Sequence, residues 1–237
     1  MKAMIFAAGL GTRLKPFTDH HPKALATVNG KTLLELSIRY LQRFGIEDVV
    51  VNVHHFAEQI ESLIEEQGGF GSWVTISDER DAVLETGGGL KKAAPHFEGE
   101  QHVVVMNVDV LTNLDLGRMM DAHLAADAFA TLAVMKRDSS RKLLFDENML
   151  LCGWEHQQKG ERRMARESGI YAAYAFSGVQ VVSTRIFDMP FEGKFSMIDV
   201  YLHYAATERI SGFDHTGNIF LDVGKPETLE QAAYLFE

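Results

Sequence analysis

Residues 2–23, KAMIFAAGLGTRLKPFTDHHPK, decide the reading of this chain. The apolar run at 2–7 has the length of a buried strand, and the Gly, Pro and Thr residues that follow Gly9 mark a loop. A strand running into a glycine-rich turn exposes backbone N–H groups that can hold phosphate oxygens. Glycine also lets the main chain approach a ligand with no Cβ in the way. Arg13 adds a planar cationic fork and Lys23 a point charge. A dinucleotide-binding turn would need a third glycine at position 14, where Leu14 stands, and no helix opens at Gly11. A loop of the form G-x-x-x-x-G-K-[ST] would end at Gly30-Lys31-Thr32, but Leu25 occupies the place of its first glycine. Asn29-Gly30 therefore reads as a turn before a helix.

Outward from this loop the pattern alternates. Leu33, Leu36, Tyr40, Leu41 and Phe44 recur at helical spacing, and Gly45 closes that helix. DVVVNV (48–53), WVTIS (73–77) and HVVVMNVD (102–109) read as strands. Residues 55–66 and 115–126 read as helices, and 87–97 as a glycine turn with a short helix ending near Pro95. Strand and helix in repeated alternation imply a parallel, doubly wound sheet with right-handed crossovers. Ligands of such sheets lie beyond the carboxyl ends of the strands, here at 7–9, 53–54, 77–79 and 107–109. The second half is β-rich: FATLAVMK, KLLFD, MLLCGWE and IYAAYAFSGVQVVS, then a helix at 197–206, a strand at 218–224 and a last helix from Pro226. The expected fold is a doubly wound, Rossmann-like mixed α/β sheet flanked by helices, with a small β-rich lobe. With no repeat, low-complexity segment or Pro/Gly/Ser-rich linker, 1–237 reads as one domain.

The net charge of −10 argues against non-specific nucleic-acid binding. Phosphates must then be held by a local cationic cluster, and Arg13, Lys15 and Lys23 form one. No stretch approaches the roughly 20 apolar residues of a membrane span, and the N-terminal apolar run is too short for a signal peptide. A single cysteine, Cys152, excludes an intrachain disulfide, reads as an apolar filler of a strand, and fits a reducing cytoplasm. The histidines show no metal-ligand spacing; His20-His21 and His54-His55 read as solvated loop residues.

Asp109 and Asp222 each end an apolar strand, VVVMNVD and NIFLD. Either alone is as readily a turn residue. Beside a phosphate-holding loop the pair suits Mg²⁺, which takes one or two carboxylates with phosphate oxygens and waters.

The stretch GLGTRLKPFT…HPKAL resembles the A-A-G-x-G-T-R…P-K pattern of the sugar-1-phosphate nucleotidyltransferase family, whose fold is GT-A-like. The resemblance extends over most of the chain. It implies that Ala8, Gly9, Gly11 and Thr12 hold a nucleoside triphosphate, with Arg13 and Lys23 as catalytic cations. LETGGG (84–89) resembles the base-side segment, which implies nucleotide contacts at Gly87, Gly88 and the upstream Glu79. LDVGKPETLEQA resembles the closing D-x-G-T-x-E-x-L-x-x-A segment, which implies that Asp222 joins Asp109 on Mg²⁺. Phe176-Ser177-Gly178 resembles the F-[ST]-G-[IV] segment of the sugar pocket, implying sugar contacts at Gly178 and Asn107. One departure is Asn107-Val108-Asp109, where the family has N-G-D. Glu167 and Asp199 read as surface or capping residues, although either could face the sugar.

By this resemblance the nucleotide half is about 1–110 and the sugar half about 111–237. LETGGG is most similar to the N-acetylmuramate 1-phosphate uridylyltransferases of bacterial cell-wall recycling. That implies UTP and an N-acetylated hexose 1-phosphate as substrates, and Arg162, Arg163 and Arg166 offer cations for a lactyl carboxylate. Mannose-1-phosphate guanylyltransfer and glucose-1-phosphate uridylyl- or thymidylyltransfer are the alternatives within this chemistry. A non-catalytic nucleotide-binding subunit is the alternative outside it. The expected partners are the two substrates, with neither nucleic acid nor membrane, in a monomer or small homo-oligomer.

Overall fold

The computed structural model describes residues 1–167 and 169–236. Strand β1 (Lys2–Phe6) leads into the glycine-rich loop, which winds through three 3₁₀ turns at Thr12–Leu14, Phe17–Asp19 and Lys23–Leu25. A hairpin of β2 (Thr27–Val28) and β3 (Lys31–Thr32) turns at Asn29-Gly30. Helix α1 (Leu33–Gln42) follows, capped by Thr32, whose hydroxyl accepts the Glu35 N–H. Then come β4 (Asp48–Val53), α2 (Ala57–Glu66), β5 (Trp73–Asp78), α3 (Glu85–Ala93) and β6 (His102–Asn107). The glycines at 87–89, expected to form a turn, lie inside α3.

After β7 (Val110–Thr112) and α4 (Leu116–Ala125) the chain becomes β-rich. It forms β8 (Ala130–Met135), β9 (Arg141–Phe145), β10 (Leu151–His156), β11 (Glu161–Met164) and the long β12 (Ala172–Ser183). Helix α5 (Met197–Tyr204), β13 (Ile210–Asp214), β14 (Phe220–Asp222) and α6 (Pro226–Leu235) complete it. Local pattern missed β7, β11, β13 and the β2–β3 hairpin. Each is short, and β11 is exposed throughout, so no apolar alternation marks it.

Strands β5, β4, β1 and β6 lie side by side and parallel. Beyond β6 the sheet turns antiparallel: residues 179–183 of β12 pair with β6, its residues 172–174 pair with β9, and β8 with its parallel neighbour β13 takes the other edge. The result is one ten-stranded mixed sheet. Successive residues of β1 enter opposite cores, Ala3 and Ile5 one, Met4 and Phe6 the other. Helices α1, α2 and α6 pack on the first face and α3 and α5 on the second. Burial on both faces explains why the central strands are apolar without alternation.

Candidate active site

A cavity of about 280 Å³ opens at the carboxyl ends of β1, β4, β5 and β6. Ala7, Ala8 and Gly9 form one wall, Glu79 and Thr86 another, and Lys23, Asn107, Val108 and Asp109 the floor. The loop is held from within. Gly11 has φ +60°, and a Cβ there would stand 2.9 Å from Thr18 Cγ2 and 3.0 Å from Lys23 Cβ. Its carbonyl accepts the Leu14 N–H at 2.8 Å and the Thr18 hydroxyl at 3.0 Å. This places Thr12 and Arg13 exposed on the first 3₁₀ turn while Lys23 is buried on the third.

The β1–β4 ladder ends at the pair Phe6–Asn52. There the Asn52 side chain takes over: its Oδ1 accepts the N–H groups of Ala7 and Ala8 at 2.7 and 3.3 Å. Its Nδ2 donates to Glu79 Oε1 at 2.7 Å. Sequence reading passed over Asn52; the signal was a lone amide among valines near the carboxyl end of β4.

Asp109 and Asp222 meet because β7 and β14 pair antiparallel, with Asp222 opposite Val110 and the Val223 N–H donating to the Asp109 carbonyl at 2.8 Å. Lys23 Nζ is bonded to Asp109 Oδ2, and Arg13 Nη2 lies 3.7 Å from Asp222 Oδ1. Burial pushes the Asp222 carboxyl above the usual range, the Asp109 charge adds to this, and Lys23, Arg13 and Arg137 oppose it. Two hard carboxylates crowded together, each drawing a cation, fit a divalent ion. No group of three or more His, Cys, Asp or Glu among the described residues could cage one alone. An ion here would take its other ligands from phosphate and water, as Mg²⁺ does. Val108, which stands where the family has glycine, is buried in the core cluster and also borders the cavity.

On the β5 side Glu79 is 1 % exposed, and burial raises its pKa against the pull of Asn52, Lys92 and His54. His54 Nδ1 lies 2.7 Å from the Glu79 carbonyl, so this histidine is tied into the site rather than solvated. The glycines of α3 permit close packing. A Cβ at Gly87 would enter the Phe195 ring, one at Gly88 would strike the Gly193 carbonyl, and one at Gly89 would stand 2.6 Å from Glu79 Oε1. Glu85 and Thr86 of this helix face the cavity, whereas Gly87 and Gly88 face protein.

On the β12 side Gly178, at φ +70°, packs against the Asn107 amide. Arg137, which no sequence signal singled out, donates from Nη2 to the Phe176 carbonyl at 2.9 Å and lies 4.5 Å over the Phe220 ring. It thereby ties the Phe176-Ser177-Gly178 segment to the strand bearing Asp222. Of the arginines offered for a lactyl carboxylate, Arg162 and Arg163 lie on β11 and have acidic partners. Arg163 pairs at 2.7 Å with Asp199, which caps α5, while Arg162 faces Glu155 at 3.9 Å and the Tyr171 ring. Cys152 is buried on β10, as an apolar filler is.

The structure thus sets a glycine-rich loop with two cations against paired carboxylates at the carboxyl edge of a parallel sheet. The profile of the nucleotidyl transferase family matches residues 2–143, and the chain belongs to that family. Among its relatives, the N-acetylmuramate alpha-1-phosphate uridylyltransferase of Caulobacter vibrioides is 33% identical over 229 residues, 95% of this chain and 92% of that protein. The enzyme of the same name from Neisseria meningitidis serogroup B is 32% identical over 99% of this chain and 98% of its own length. The crystal structure of HddC from Yersinia pseudotuberculosis complexed with GMP-PN superposes with a TM-score of 0.80 at 25% identity, covering 100% of this chain and 99% of that one. Among the described residues no helix is long and apolar enough to cross a membrane.

Proposed function

We propose that this chain is an N-acetylmuramate 1-phosphate uridylyltransferase, joining the sugar 1-phosphate to UTP and releasing pyrophosphate. The observation that carries the reading is the cavity lined by Ala7, Ala8, Gly9, Lys23 and Asp109, with Asp222 brought next to Asp109 by the β7–β14 pairing and Arg13 paired with Asp222. The two relatives bearing this name, aligned over nearly the whole chain, support the choice of substrates.

A phosphate oxygen of the sugar 1-phosphate attacks the α-phosphorus in line. The new P–O bond forms as the bond from the α-phosphorus to the α,β-bridging oxygen breaks, and both electrons of that bond leave with pyrophosphate. The nucleophile is already an anion, so the chain need supply no general base. The backbone N–H groups of the Gly-rich loop and the Arg13 guanidinium hold the outer phosphates, and Lys23 neutralises charge at the α-phosphate. Glu79 meets the base edge, while Asn107 and the Gly178 segment bound the sugar. Asp109 and Asp222 would hold Mg²⁺, which supplies charge neutralisation on the transferring phosphoryl group.

A second reading, guanylyl transfer, draws support from the HddC complex with GMP-PN and from Glu79 itself, since a carboxylate accepts well from the N–H donors of guanine. A site that bonds one base edge leaves polar groups unpaired with the wrong base, so discrimination is expected to be large. Pyrophosphate release with four nucleoside triphosphates crossed against N-acetylmuramate, glucose and mannose 1-phosphates tests the reading. UTP with N-acetylmuramate 1-phosphate is expected to give the highest kcat/KM; highest turnover of GTP with mannose 1-phosphate would overturn both substrate assignments.

A further inference from the structure

We propose that Asn52 is a positioning residue that couples recognition of the base to the geometry of the triphosphate loop. The proposal rests on the reading that the cavity holds a nucleoside triphosphate, and it assigns nucleotide selectivity to a buried residue in the cavity wall between the loop and Glu79.

The argument begins with topology. The triphosphate loop leaves β1, and Glu79 follows β5; these strands are not neighbours, because β4 runs between them. Asn52 stands near the end of β4, in register with Phe6 on one side and Ser77 on the other. It is 3 % exposed amid valines, so its amide must find protein partners or lose hydrogen bonds on folding. All three partners belong to elements that face the cavity: the Ala7 and Ala8 N–H groups on the loop side and Glu79 Oε1 on the other.

The orientation of the amide is fixed by its neighbours. Backbone N–H groups only donate, so the oxygen faces the loop and the NH₂ faces the carboxyl. One planar amide thus spans the two walls, and a shift of the Glu79 carboxyl passes rigidly to the two loop amides. A base that seats well on Glu79 keeps the Ala7–Ala8 backbone anchored to Asn52, and with it the aim of the N–H groups further along the loop; one that displaces Glu79 loosens that anchor.

Two substitutions separate the halves of this bridge. Asn52→Asp keeps an acceptor for Ala7 and Ala8 but sets a carboxylate against Glu79. Asn52→Ala removes both links. The probes are inorganic tripolyphosphate, which reports on the loop alone, and the four nucleoside triphosphates, each titrated calorimetrically with Mg²⁺ into the full chain. For Asn52→Asp, tripolyphosphate affinity is expected to stay within about twofold of wild type, while the ratio of best to worst nucleoside triphosphate Kd falls about tenfold, the loss of roughly one buried hydrogen bond. For Asn52→Ala, tripolyphosphate affinity is expected to fall about tenfold as well, and this variant decides the matter if Asn52→Asp fails to fold. An unchanged ratio overturns the proposal, as does an equal loss for tripolyphosphate and every nucleotide in Asn52→Asp, the mark of a merely structural amide. Wild-type protein that binds neither tripolyphosphate nor any nucleotide would instead overturn the reading of the cavity, and the coupling with it.

Discussion

Asp109 and Asp222 are joined through the main chain: the Asp109 carbonyl accepts the N–H of Val223, the residue after Asp222, at 2.8 Å. More than a hundred residues apart in sequence, the two carboxylates are set together by this β7–β14 ladder, with Lys23 on one and Arg13 near the other.

Asn substitution of either residue is expected to lower Mg²⁺-supported kcat/KM at least about a hundredfold, by loss of preorganised charge. The metal-free fold should survive. Asp222 is 45 % exposed and its pair with Arg13 is long, at 3.7 Å, so neutralising it should cost under about 1 kcal/mol of stability. Asp222→Asn without metal should therefore melt close to wild type. Wild-type Mg²⁺ dependence in either variant would remove that residue from the metal site.

Arg13→Ala should separate turnover from stability. The Arg13–Asp222 pair is long, at 3.7 Å, and Arg13 is 60 % exposed, so its loss should cost under about 1 kcal/mol of stability. Loss of a charged contact to the departing pyrophosphate should raise the barrier by about 2–4 kcal/mol. Turnover at saturating triphosphate, beside a urea melt, measures both; near-normal kcat would end the catalytic role.

Gly88→Ala sets two effects in opposition. Alanine favours a helix interior over glycine by about 1 kcal/mol. Against this, the new Cβ would strike the Gly193 carbonyl, which is backbone and yields little, and overpacking costs about 1–3 kcal/mol. Net destabilisation is expected in urea. Gly89→Ala instead presses on the Glu79 carboxyl, so its larger effect should fall on the KM for the triphosphate.

His123 sets an acid limit on stability. Its Nδ1 lies 2.9 Å from Thr131 Oγ1 and its Nε2 3.0 Å from His102 Nδ1, and burial lowers its pKa from 6.5 to about 4. Between these values the unfolded chain binds more protons than the folded one, so stability falls as pH drops from 6.5 towards 4 and is insensitive to this group below. The span amounts to roughly 3 kcal/mol at most. Urea melts across this window should show a shallower pH slope for His123→Gln than for wild type; identical slopes would refute the assignment.

The local sequence determined the parts that rest on short-range physics. Continuous apolar runs marked β1, β4 and β6, helical spacing marked α1, and glycines with nearby cations marked the loop at 7–13. The turn at Asn29-Gly30 was legible, although the strands flanking it were not. What tertiary structure alone decided is what depends on partners distant in the chain. The pairing of β14 with β7 rests on two three-residue strands, too short to carry a period. The triple glycine reads locally as a turn, because glycine disfavours helices; the approach of Phe195, Gly193 and Glu79, which leaves no room for a Cβ inside α3, is visible only in the folded chain. Arg162 and Arg163 could be offered to a ligand carboxylate because a sequence does not show Glu155 or Asp199 beside them. Asn52 and Arg137 gain their meaning from backbone groups distant in the chain, and a hydrogen bond to a main-chain atom leaves no trace in the identity of the residue that supplies it. Periodicity and turn chemistry are properties of neighbouring residues, whereas register, charge pairing and the bridging of two walls by one amide belong to the folded chain.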